Sequence, residues 1–323
     1  MMKYILILIV TLTNCIARGQ DQRSIPFDEN SFNLKSSLSS AAGQLQHITT
    51  QIKNMELNDT QKLFLIAGWM YDNIAFDIEK FEMGEATLPT YQSVLSSRQA
   101  ICTGYAVLFA AFCNQFKITN ELVEGYVQEL GAPRTTFKET NHIWNVVKLG
   151  DQWFHCDLLW MSGGITEAHG DIDFRKKLDK SVFLTQSRSF IQTHIPADPM
   201  WQLSAYPLAI EHLIHQTAAP KELSNTDSLN YTAAIDSYIK LNQQAKKLML
   251  AENAFKYNKD NGKIMVFTYY NAAVDILNTN TQDKKQLARA KNYLLKSRQH
   301  LPYYGTDTAA LEKSINSILK TLP

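Results

Sequence analysis

Apolar and polar positions follow several different rhythms along this chain, and each change of rhythm marks an element. After Lys3 comes a short apolar run from Tyr4 to Leu12. Residues 20–58 are a polar lead-in, Ser- and Gln-rich in its first part, with one helix starting near Phe32. From about Asp59, with Asp59 or Thr60 as cap, Leu63, Phe64, Ile66, Ala67, Met70 and Ile74 recur at helical spacing. Gly84 and Pro89 interrupt that rhythm. A second helix, about Cys102 to Phe116, is apolar nearly all round and therefore belongs in a core. Residues 121–127, 142–149 and 152–158 have strand character, and the Gly150-Asp151 turn joins the last two as an antiparallel hairpin. Beyond Gly163-Gly164 the pattern is irregular to about Pro207. Residues 229–257, 264–278, 284–300 and 307–320 each read as an amphipathic helix. The order predicts an α+β domain over 59–207, with a buried helix on an antiparallel sheet, followed by an all-α bundle over 225–323.

Composition narrows the setting. Of 323 residues, 45% are hydrophobic and 20% charged, which suits a packed core. A formal net charge of +1 gives no electrostatic reason to expect nucleic acid. Residues 1–19 read as a secretory signal peptide: a basic start, an apolar centre too short to span a membrane, and Ala17 and Gly19 before a cut after Gly19. The rival reading is a lipobox at Leu12-Thr13-Asn14-Cys15, with a lipid anchor on Cys15, although Asn14 suits that cut poorly. No later stretch offers a transmembrane helix. The expected location is secreted, periplasmic or cell-surface. Past the leader remain Cys102, Cys113 and Cys156, an odd number that implies at least one free thiol.

Cys102 stands where a polar approach meets the start of the buried helix. Unpaired amides and the positive end of the helix dipole favour thiolate there, and the same amides can hold an oxyanion. Gly104 is expected to keep the first turn open for a substrate. The bland reading of such a cysteine is a small core residue. His142 weighs against it, because pairing about the Gly150-Asp151 turn brings His142 and Asp157 to the same end of the hairpin. An acid beside an imidazole fixes its tautomer and supports the imidazolium. Cys102, His142 and Asp157 are therefore the candidate nucleophile, base and orienter. His155, two residues before Asp157, competes as base or serves as a polar lining. Gln99 is an oxyanion donor or a solvated approach residue. Trp144 packs the core or lines the cleft. Cys113 and Cys156 read as core, and a bond between them would leave Cys102 the single free thiol. His212 and His215 share a helix face but lack a third ligand, so no metal is expected, and no phosphate loop or dinucleotide fingerprint implies a cofactor.

Three stretches carry a resemblance: Ala100-Ile101-Cys102-Thr103-Gly104-Tyr105-Ala106, Asn141-His142-Ile143-Trp144-Asn145 and Trp153-Phe154-His155-Cys156-Asp157-Leu158-Leu159-Trp160. In this order they resemble the three motifs of transglutaminase-like domains, in particular the branch of the kyphoscoliosis peptidase and its bacterial relatives. Residues 69–77 and 194–202 are similar to flanking segments of that branch, so the likeness covers about 60–205. Ile143 and Cys156 depart from the usual Ala and Val. The resemblance implies a papain-like core and a Cys102–His142–Asp157 triad. It leaves the reaction open among crosslinking, peptidase and amidase chemistry. The expectation is an exported cysteine enzyme acting on amide bonds of a protein or peptide substrate, hydrolysis favoured. The alternatives are a non-catalytic binding module and a helical tail that lids the cleft.

Overall fold

The structure, a computed structural model, describes residues 40–85, 87–127, 137–168, 171–215, 229–305 and 308–323. The expected leader, Cys15, the helix starting near Phe32 and the side chains of His212 and His215 lie outside the described residues.

Helix α1 (Ala41–Lys53) buries Leu45, Ile48 and Ile52 on one face, against the helices that follow. Helix α2 (Asp59–Asn73) is capped by Asn58 rather than by Asp59 or Thr60. Asn58 and Gln61 form a reciprocal capping box that satisfies two amides at once, an advantage neither expected cap offers. The chain then runs through β1 (Ala75–Phe76), α3 (Ile78–Glu82), α4 (Tyr91–Ser97) and β2 (Gln99–Ala100) into α5 (Cys102–Gln115). Strand β1 pairs in parallel with β2. Helix α5 buries residues on every side, including Tyr105, Leu108, Phe109 and Phe112. Each such side chain contributes roughly 1.5–3 kcal/mol of burial, so α5 is the axis of the core.

The sheet packed on α5 combines β3 (Asn120–Tyr126), β4 (His142–Leu149), β5 (Gln152–Cys156), β8 (Phe183–Thr185) and β9 (Ile195–Pro196) in the antiparallel order β8-β5-β4-β3-β9. Strand β5 stops at Cys156, two residues short of the expected end at Leu158. There the Asp157 side chain caps the short helix α6 (Leu158–Ser162) instead of continuing the ladder. The stretch after Gly163, expected to be irregular, holds a hairpin of β6 (Gly163–Ala168) and β7 (Asp171–Lys176), helix α7 (Arg188–Thr193), and the outer strands β8 and β9. Two- and three-residue strands are too short to show a period in sequence.

After α8 (Ile210–His215), the helical region holds α9 (Tyr231–Tyr238), α10 (Gln243–Tyr257), α11 (Gly262–Leu277), α12 (Lys284–Gln299) and α13 (Ala309–Thr321). The single helix expected over 229–257 is broken because Asn242 turns out of helical geometry and caps α10, accepting from the Ala245 amide. Helices α10 to α13 share a second core built on Val266, Tyr269, Ala273 and Leu294. A Cβ on Gly262 would meet the Tyr303 carbonyl oxygen at 2.0 Å, so only glycine admits the Leu301–Tyr303 turn against α11. Polar clamps tie this region to the sheet domain. Lys246 donates to the Glu121 carboxylate, Asn253 Nδ2 to Asp198 Oδ2 at 2.6 Å, and Asn261 Nδ2 to the Tyr126 hydroxyl at 2.8 Å. Among the described residues these anchors fall on β3 and the segment after β9, whereas the tail-as-lid expectation needs them at the start of α5.

Candidate active site

The approach to Cys102 is fixed by backbone geometry. Arg98 closes α4 in the left-handed region at φ 58°, and the chain emerges as β2. The Ala75 amide donates to the Arg98 carbonyl at 2.8 Å, and the Asp77 amide to the Ala100 carbonyl at 3.0 Å. Ile101 then enters α5 in extended conformation and provides no side-chain cap. The Gly104 and Tyr105 amides turn back to the Ile101 carbonyl at 3.0 and 3.1 Å, so the uncapped end beside the half-buried Cys102 thiol is that of the first two residues of the helix. Gly104 does not leave an opening for substrate, as the sequence reading expects. A Cβ there would sit 2.6 Å from the Ala100 Cβ and 3.1 Å from Val94 Cγ2, so its role is close packing of α5 on β2 and α4.

The start of β4 is set by Asn141, whose side-chain amide accepts from the Val127 N–H and donates to the Val127 carbonyl, both at 2.9 Å. Opposite His142 in the ladder stands Gly125. A side chain there would strike the Trp144 ring at 2.5 Å and the Ile195 carbonyl at 2.3 Å, so glycine makes room for the indole beside His142. His142 Nε2 lies 2.5 Å from Asp157 Oδ2, while Asp157 Oδ1 accepts from the Trp160 N–H at 2.9 Å. Both side chains are buried. Cys102 is among the groups that act on the charge of the His142 ring. With Nε2 committed to the carboxylate, Nδ1 is the ring nitrogen left for sulfur.

Burial alone would pull the His142 imidazolium down. The Asp157 charge and hydrogen bond, helped by the Cys102 sulfur, more than offset it and push His142 up to about 10. Burial would conversely raise Asp157, but the His142 and His194 contacts hold it well below the usual carboxylate range. The favoured state is an imidazolium against a carboxylate.

The sequence reading does not single out His194. Its Nε2 lies 3.1 Å from the same Asp157 Oδ2, and the ring is wholly buried. The one signal for it was its place at the head of the family-like stretch 194–202. His155, the competing base, stands elsewhere. Its Nδ1 accepts from Trp144 Nε1–H at 3.0 Å, and burial, with His194 nearby, pulls it down to about 3. Trp144 is buried, so it is a packing and hydrogen-bonding residue. Asn145 Nδ2 donates to the Ala106 carbonyl at 3.0 Å, pinning β4 to α5 one turn beyond Cys102. Gln99 is exposed on β2. Cys113 and Cys156 are buried core thiols, as the sequence suggests; both are free, so the bond that would have left Cys102 the single free thiol is not formed, and burial raises both. Cys102 differs from them by its exposure and its histidine.

His142, Asp157 and His194 present ligand atoms within 4.8 Å of one another. The carboxylate oxygen bonds both imidazoles directly, so a cation would have to displace both N–H groups from it. The donors fit a closed hydrogen-bonded cluster better than a metal cage. No helix among the described residues is long and apolar enough to cross a membrane.

Two comparisons agree with this architecture. Residues 46–158 match the model of the transglutaminase-like superfamily. The Lim and transglutaminase domain protein ltd-1 of Caenorhabditis elegans is 28% identical over 116 residues, which are 33% of this chain and 16% of that protein. The match spans a small part of that protein's length. His194 lies beyond the matched stretch.

Proposed function

We propose that this transglutaminase-like chain is an exported cysteine enzyme that cleaves amide bonds of protein or peptide substrates through Cys102, His142 and Asp157. The observation that carries the reading is the buried His142–Asp157 pair, whose imidazole is raised in part by Cys102, a half-buried thiol at an uncapped helix start. In the reaction, the Cys102 sulfur, with its proton already held on His142, attacks the amide carbonyl carbon. The opening amides of α5 face the developing oxyanion. As the tetrahedral intermediate collapses, His142 returns the proton to the leaving amine and a thioester remains. Water then adds to the thioester with His142 as base, releasing carboxylic acid and thiol. An amine in place of water would give crosslinking. Hydrolysis is preferred because water needs no acceptor pocket. Export rests on the leader read at 1–19.

The test is direct. Iodoacetamide should modify Cys102 at neutral pH at least tenfold faster than Cys113 or Cys156 in folded protein. Peptide-library turnover should vanish in Cys102→Ala and survive in Cys113→Ala. Turnover that persists in Cys102→Ala would end the reading. Uniformly slow labelling without turnover would leave a binding module.

A further inference from the structure

Asp157 Oδ2 holds two imidazoles, and the proposed mechanism uses only one. An ionised carboxylate can only accept, so His142 and His194 must both present Nε2–H to it. For a neutral His194 that places the proton on Nε2 and leaves Nδ1 as acceptor. Thr193 Oγ1 stands 2.8 Å from that Nδ1. The same hydroxyl can instead donate to the Phe190 carbonyl at 3.0 Å. It has one proton, so turning it towards Nδ1 selects the tautomer that Asp157 requires. The ring has no freedom to turn away. It stacks on Phe190 at 4.1 Å and 9°, and meets Trp160 edge-on at 4.4 Å. The titratable groups facing it are Asp157 at the β5–α6 junction, His142 on β4 and His155 on β5, with Cys102 beyond His142.

We propose that His194 is a positioning residue: a neutral imidazole, its tautomer set by Thr193, that donates to Asp157 so that the carboxylate stays ionised and aimed at His142. The inference rests on the cysteine-enzyme reading and deepens it. A carboxylate this buried must be satisfied by protein donors, and among the described residues it has His142, His194 and the Trp160 amide. Losing the His194 donor destabilises the ionised form. Asp157 then takes up a proton at higher pH, and the His142 imidazolium loses its counter-charge.

The experiment follows the rate of Cys102 alkylation by iodoacetamide against pH, in the full chain, for wild type, His194→Phe, His194→Gln and Thr193→Val. Folding is checked by circular dichroism. The acid limb of the profile should move up by about one pH unit in His194→Phe, a tenfold change in proton concentration at half-rate. His194→Gln, whose amide N–H can stand near Nε2, should return the limb to its wild-type position. Thr193→Val should move it the same way by less. A merely structural histidine would lower the melting temperature without moving the limb. A folded His194→Phe with the wild-type limb overturns the proposal, as does a Gln variant that behaves like Phe. If the Phe variant does not fold, an unmoved limb in Thr193→Val overturns it instead. Failure of the enzyme reading looks different: wild-type Cys102 would then alkylate no faster at low pH than in the unfolded chain.

Discussion

The two cores of this molecule handle polarity in opposite ways. Around the end of β5, one small volume buries Asp157, His142, His194 and His155 together. In the helical region the core is Val266, Met265, Ala273, Leu294 and their like, and Tyr269 sends its hydroxyl outward to the Glu252 carboxylate. Burying ionisable groups costs several kcal/mol each unless they are paired and hydrogen-bonded. The second core avoids that cost and gains stability, and the buried Lys246 of α10 lies outside it, paired with Glu121. The sheet domain accepts it where Asp157, His142 and His194 satisfy one another, in the same place where Cys102 acts on the His142 charge. A change at the first core should therefore alter chemistry, and a change at the second should alter only folding.

The largest effect is expected at the carboxylate. Asp157→Asn keeps the volume and the Trp160 cap, but removes the charge that supports the imidazolium and the acceptor that fixes the His142 tautomer. Cys102-dependent turnover should fall by on the order of 10³-fold, about 4 kcal/mol of barrier. Steady-state peptide cleavage by the folded variant measures it. A loss under tenfold would mean that Asp157 is only a helix cap.

The second core offers the contrast. Leu294 is fully buried among apolar neighbours. Leu294→Ala should cost about 2–5 kcal/mol of stability by denaturant unfolding, with the Cys102 alkylation profile unchanged in the folded protein. If the profile shifts as well, the clamps through Asp198–Asn253 and Tyr126–Asn261 transmit strain between the cores, and the two cannot be treated separately.

How much of this was readable in sequence follows from the range of the interactions. Helix α5 and the β4–β5 hairpin are local, governed by periodicity and by the Gly150-Asp151 turn, so the pairing of His142 with Asp157 could be anticipated. The cap at Asn58 and the break at Asn242 were local too, but depended on which of several neighbouring polar residues takes the cap. The contact of His194 with Asp157 spans 37 positions and rests on a two-residue strand, β9, that no period reveals. Gly104 was legible as a special position, while the reason, Ala100 and Val94 pressed against it, is tertiary.

The smallest expected effect separates the histidines of the first core by the sign of their linkage. His142 is raised from 6.5 to about 10, so its contribution to stability is complete below pH 6.5 and is lost as pH rises through about 10. Asp157 is depressed, so its contribution holds above about pH 4 and is lost as pH falls further. His155 runs the other way. It is pulled from 6.5 down to about 3, so below pH 6.5 the unfolded chain binds a proton that the folded one refuses. His194 is lowered as well and acts in the same sense. Stability should therefore peak near pH 6.5 and fall on both sides, for different histidines. At pH 5 the His155 share of the loss is roughly 2 kcal/mol. His155→Asn removes that titration while keeping an acceptor near Nδ1 for the Trp144 N–H. Its unfolding free energy should vary less between pH 5 and 6.5 than that of wild type, with the alkaline fall unaltered. Equal acid slopes in the two proteins would show that His155 takes up its proton in the folded state, and that the wall between it and solvent opens.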